Sequence, residues 1–232
     1  VRGELVRIAM PVIGLNMLGV LSLGIDTAMC GHLSNGDVAL AALGFAMQVV
    51  LASNVTVLGL TVGTVALIAR AHGARDPERA AHVLTQSLVV TLLVALVVGT
   101  GLNLVASPLL TVLGARGDVH ALALDYLRPM LGLAVFHFVA TLLAGAMRGV
   151  GVTRPPFVIA LGCTVLHVAL AAVFIHGGYG VRPLGVRGAA LSAIVSQLVA
   201  VVLLFAYVRD GHIDGLSLAR GAFALDRGLV AR

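Results

Sequence analysis

The 232-residue chain has no tryptophan and no lysine, and only 11% of its residues are charged. A soluble globular domain carries about 25% charged residues, so a water-soluble fold with a solvated surface is excluded. Without lysine there is no phosphate-cradling glycine loop ending in Gly-Lys, and no nucleotide-driven motor is read within the chain. Without tryptophan, an aromatic belt at a membrane surface rests on Tyr126, Tyr179 and Tyr207, which fall at the ends of apolar runs where an amphipathic ring is comfortable. The two cysteines, Cys30 and Cys163, lie far apart in apolar context and read as small packing residues. No zinc-ligand spacing and no nucleophile elbow occurs, so the chain is read as a non-enzyme with neither metal nor cofactor.

What is present is hydrophobic length. Apolar residues make up 59% of the chain and its mean hydropathy is +1.07. Runs long enough for the roughly 20 helical residues that cross a bilayer recur at 8–31, 39–69, 83–113, 121–147, 156–177 and 185–208. They lack the alternation of barrel strands, and backbone groups in lipid must be paired within the segment, so six helices are expected. The first run reads as a span rather than a cleaved leader. The second and third are longer than a bilayer needs, which predicts tilt or a break near "SNVTVLGLTVG" at 53–63.

All 15 basic residues are arginine. Alternating the six spans puts Arg116, Arg128, Arg182 and Arg187 on one side and leaves the other 11, Arg148 among them, in loops or ends on the opposite side. Basic residues near helix ends resist translocation, so both termini are expected in the cytoplasm of a plasma (inner) membrane. The net charge of +5 is then a matter of topology and of contact with membrane lipid, with no nucleic acid as a partner. Between the second and third spans, Asp76-Pro77-Glu78 has the order of an N-cap, a first-position proline and a first-turn acid. Gly59 and Gly63, and Gly145 and Gly149, have the small-xxx-small spacing that lets helices approach closely.

One acid stands apart. Of the 10 carboxylates, Asp26 in "LGIDTAMCG" is the one deep within a predicted span. An ionised acid at mid-membrane costs about 2.5 to 3.5 kcal/mol on insertion scales, so such a residue faces a cavity or a partner and is a functional candidate. The competing role is structural, a carboxylate bonded to a helix hydroxyl such as Ser22 one turn back.

Pro11, "DTAMCGHLS" at 26–34, "ALAALGFA" at 39–46, "VGTVALIARAHGARDPERA" at 62–80, "RGVGVTRPP" at 148–156 and "GVRGAALSAIVSQ" at 185–197 follow one another in an order that resembles the N-terminal half of a multidrug and toxic compound extrusion (MATE) transporter. The resemblance implies an all-α integral membrane protein, with a six-helix lobe over 1–208 that is one of two pseudosymmetric lobes around a central cavity. Residues 209–232 are then a cytoplasmic linker toward a second lobe. It also implies that Asp26 binds the coupling cation, a proton or sodium, and that Pro11 is where the first helix bends.

The chain departs from that family in the fifth span. In "HVALA", His167 stands where many relatives have Asn and Ala171 where they have Asp; Val152 replaces an acid, and Ala193 a Thr beside Ser192. A hard cation wants several oxygen ligands, so these losses disfavour sodium. His167 can itself take up a proton near neutral pH. The expectation is a cation-coupled, proton-driven antiporter exporting lipophilic or cationic drugs and toxins, with Asp26 and His167 as the coupling site. Ser22, His137 and Ser192 are the candidates for the substrate cavity. Its partner would be a second six-helix lobe or a second copy. The alternatives are a lipid-linked oligosaccharide flippase, which would need basic residues deep in the cavity and for which no arginine is placed there, and a non-transporting membrane partner.

Overall fold

The computed structural model describes residues 2–178, 180 and 182–210; Tyr179 and the tail from 211 onward, on which the linker expectation falls, lie outside the described residues. Seven helices follow in order: α1 (Arg2–Gly31), α2 (Gly36–Gly73), α3 (Pro77–Leu113), α4 (Gly117–Gly132), α5 (Ala134–Gly149), α6 (Arg154–His176) and α7 (Val186–Arg209). Five of them are long and apolar enough to cross a membrane. α4 and α5 together make a sixth crossing, bent by 54° at Leu133. Six spans are therefore present, but the fourth is a broken one rather than the single helix expected over 121–147.

The bend is built from both sides. Gly99 on α3 has no side chain, and a Cβ there would sit 2.5 Å from the Leu131 carbonyl, so the elbow presses directly on the α3 backbone. Breaking a helix in lipid frees carbonyls that must find donors. Asn103 Nδ2 donates to the Arg128 carbonyl at 2.8 Å, and Pro129 inside α4 has no N–H to give to the preceding turn.

The break expected at 53–63 is absent: α2 continues unbroken for 38 residues. At 1.5 Å per residue it is about 57 Å long, against about 30 Å of hydrocarbon, so tilt and projection beyond the lipid take up the excess. Gly59 and Gly63 do not serve close packing, since a Cβ at either meets nothing within 4 Å. Gly145 and Gly149 do: they lie against Thr61 and Val65 of α2. At the start of α3, Asp76 accepts a hydrogen bond from the Arg79 amide at 2.9 Å and Pro77 opens the helix, as the sequence predicts.

α2 packs on α3, α4 and α5, while α6 packs on α1 and α7. One apolar core, including Leu43, Tyr126, Leu127 and Ile175, fills one end of the bundle; another, including Ile68, Leu84, Leu142 and Met147, fills the other. Both cysteines are buried and free, within these cores. Large apolar side chains such as Leu104, Val97 and Val112 point outward, an arrangement that suits lipid and not water. Tyr126 is not at an interface as expected but is 2% exposed inside the first core.

Candidate functional site

Between the two cores lies an open cavity of about 620 Å³, walled by α1, α2, α4, α5, α6 and α7. Its deepest polar feature joins two helices far apart in sequence. Asp26 lies five residues before the end of α1 and is 4% exposed. His167, in the middle of α6, is 5% exposed. The imidazole Nε2 and the carboxylate Oδ1 are 2.9 Å apart, so an Nε2–H donates to Asp26. A hydrogen bond to a charged acceptor is among the stronger kinds in proteins. Packing of α1 on α6 brings the two together.

The other ring nitrogen, Nδ1, is buried without a hydrogen-bond partner, although the Ser192 carbonyl of α7 lies near the ring. That carbonyl already accepts from Ser196 Oγ at 2.9 Å. The pair thus has one internal bond and one unsatisfied nitrogen. Buried polar atoms are almost always paired, and Nδ1, the ring nitrogen that does not face Asp26, is an exception here. Tyr126 and Cys30 complete the immediate surroundings, both close enough to feel the Asp26 charge.

Ser22 and His137 line the cavity as expected. Ser22 makes no bond to Asp26 among the described residues; the carboxylate's partner is His167. His137 also meets Phe138 edge-on, ring centroids 6.4 Å apart. Ser192 is a correction. It is fully buried, its Oγ donates to the Ala189 carbonyl at 2.8 Å, and it is not on the cavity wall. One residue further along, α7 turns Ala193 to the cavity, and Ser196 and Gln197 follow. The helical twist of about 100° per residue separates neighbours in this way. Ala171 is buried in the apolar core.

Sequence reasoning missed several wall residues. Tyr126 was placed at a surface, and Asn16 and Asn54 went unremarked, as did Thr141. Arg148 was assigned to a loop, yet it belongs to the last turn of α5 and lines the cavity. Periodicity carried the signal: 137, 141, 144 and 148 recur at the 3.6-residue spacing of one helix face.

Residues 11–173 match the MatE family. The chain belongs to that family. It is 27% identical over 231 residues to a probable multidrug resistance protein NorM of Thermotoga maritima, covering 99% of this chain and 47% of that protein. It is 29% identical over 190 residues to the multidrug resistance protein PmpM of Pseudomonas aeruginosa, covering 80% of this chain and 38% of that one. A crystal structure of MATE in the bent conformation superposes with a TM-score of 0.88 at 25% identity, over 99% of this chain and 50% of that chain. An inward-facing MATE family transporter of the MOP superfamily gives 0.82 at 25% identity, over 98% and 50%. This MatE chain spans about half the length of the relatives it matches, and it is the helical lobe of an integral membrane protein.

Proposed function

We propose that this chain supplies the proton-coupling lobe of a multidrug antiporter in the plasma (inner) membrane, both termini cytoplasmic, which exports lipophilic or cationic compounds. The names of its relatives support the transport class. One observation carries the coupling: the buried 2.9 Å contact between His167 Nε2 and Asp26 Oδ1 with Nδ1 left open.

Unloaded, a carboxylate and a neutral imidazole carry one negative charge between them. One added proton, whether counted on Nδ1 or on the carboxylate, makes the pair neutral. A cationic substrate in the same cavity is attracted to the unloaded pair and not to the loaded one. Proton and substrate therefore compete for a single charge, which is what exchange requires. A sodium ion wants several oxygen ligands, and one Asp26 oxygen already accepts from an imidazole, so the proton is the ion this site favours. A second lobe or a second copy of this one would close the open side of the cavity.

The flippase reading gains little. A pyrophosphate calls for a cluster of cations, and Arg148 is a single one at a helix end.

Asp26→Asn tests the coupling because Asn Oδ1 can still accept from Nε2–H while the charge is gone. In proteoliposomes given a pH gradient and a fluorescent cationic dye, the variant should be folded and inserted but show no gradient-driven dye movement. His167→Asn should reduce the two coupled protonation steps in the pH profile of transport to one. Full pH-driven transport by Asp26→Asn overturns the assignment.

A further inference from the structure

From the cavity wall we infer that Arg148 anchors an oxyanion of the transported molecule, so that the substrate range includes amphiphiles bearing a carboxylate beside their apolar or cationic body. The inference rests on the transport reading and names a substrate class for its cavity. It starts from one face of α5. Positions 137, 141, 144 and 148 fall within about 60° of one another at 100° per residue, and all four line the cavity. His137, Thr141 and Arg148 thus form a polar ladder along an otherwise apolar wall, ending in a permanent cation.

Arg148 has no partner there. Among the described residues no acid comes within ion-pair distance, and no hydrogen bond satisfies its guanidinium. Beside Gly145, Arg148 Nη2 shares the space with Thr61 and Val65 of α2, neither of them charged. The one carboxylate on the wall, Asp26, is engaged by His167. His167 lies 13 residues into α6 from Arg154, which begins that helix just after α5 ends. That is about 20 Å along the axis, far beyond direct pairing with Arg148.

The wall is therefore bipolar, with a negative pair at one level and an unpaired guanidinium at another. A planar guanidinium presents a fork of donors that matches a carboxylate or phosphate with two parallel hydrogen bonds. In a half-buried, largely apolar setting that match is worth more than at an open surface. Thr141, about two turns deeper, offers a further donor on the same face.

The test uses the protein as its gene encodes it, in nanodiscs, with two fluorescent probes sharing one aromatic body and one amine. One probe carries a free carboxylate and the other its methyl ester. Arg148→Gln should weaken equilibrium binding of the carboxylate about tenfold or more, as expected for loss of a charge-assisted pair, and change ester binding less than about twofold. Arg148→Lys should recover part of the loss, since it keeps the charge without the fork. Equal effects on both probes, or none on either, overturn the anchor. The oxyanion could also come from a lipid headgroup. In that case discrimination is missing in phosphatidylcholine nanodiscs and Arg148→Gln instead lowers the phosphatidylglycerol that copurifies, which overturns the substrate assignment. Binding is read without a gradient. A pH gradient that drives neither probe would sink the transport reading alone, and uniform binding by Arg148→Gln would sink this one alone.

Discussion

Replacing His167 with leucine should cost more than the volume change explains. The imidazole is the one hydrogen-bond donor that reaches Asp26 among the described residues, and both side chains are nearly fully buried. Removing one partner of a buried pair strands the other, at about 3–5 kcal/mol. The insertion cost of a lone acid in a membrane, about 2.5–3.5 kcal/mol, gives a similar figure. About 3 kcal/mol is therefore expected. For a chain of this length 1 kcal/mol moves the unfolding midpoint by about 2–4 °C, so His167→Leu should lower it by about 6–12 °C. Asp26→Asn combined with His167→Leu removes the stranded charge and should return most of the loss, to within about 1 kcal/mol of Asp26→Asn alone. Thermal unfolding of the purified protein in detergent measures all three variants. A double variant as unstable as the sum of the singles would refute the buried-pair argument.

Three further outcomes concern the scaffold. Gly99→Val places side-chain atoms where the Leu131 carbonyl already stands 2.5 Å from an added Cβ, so it should destabilise by about 1–3 kcal/mol through overpacking. Gly59→Ala, which meets nothing within 4 Å, should be neutral or slightly stabilising in the same melt. Asp76→Ala deletes the side-chain acceptor for the Arg79 amide and should cost about 1 kcal/mol, seen as a small drop in midpoint with transport intact.

The membrane architecture was legible because apolar run length reports directly on the medium around a helix. Six runs became six crossings. The interruption was misplaced, however: polar residues and glycines at 53–63 do not break α2, whereas "LRPMLGLAVF" at 127–136 bends by 54°. The reason is tertiary. Isolated glycines and threonines are tolerated in a helix whose own backbone bonds stay intact. A break needs an outside donor for the freed carbonyl and room for the displaced turn. Pro129 inside α4 already removes one N–H just before the bend, a local signal; Asn103, which donates to Arg128, and Gly99, which admits Leu131, belong to α3, out of reach of any local pattern.

The site divides in the same way. Asp26 could be found because a charge in an apolar run has few explanations, and His167 because an imidazole within an apolar run is itself a group that can take up a proton. Their 2.9 Å contact spans 141 residues of chain, and nothing local to either predicts it. Ser192 failed where Ser196 would have succeeded, since a helix face is settled by its neighbours and not by residue type. Arg148 shows the converse. Counted as a topogenic loop residue, it drew no attention, yet the same position at the end of α5 both marks the helix end and faces the cavity. An arginine serving topology alone would lie among headgroups, whereas Arg148 lines the cavity with no acid within ion-pair distance among the described residues, where what enters the cavity can bring its counter-charge.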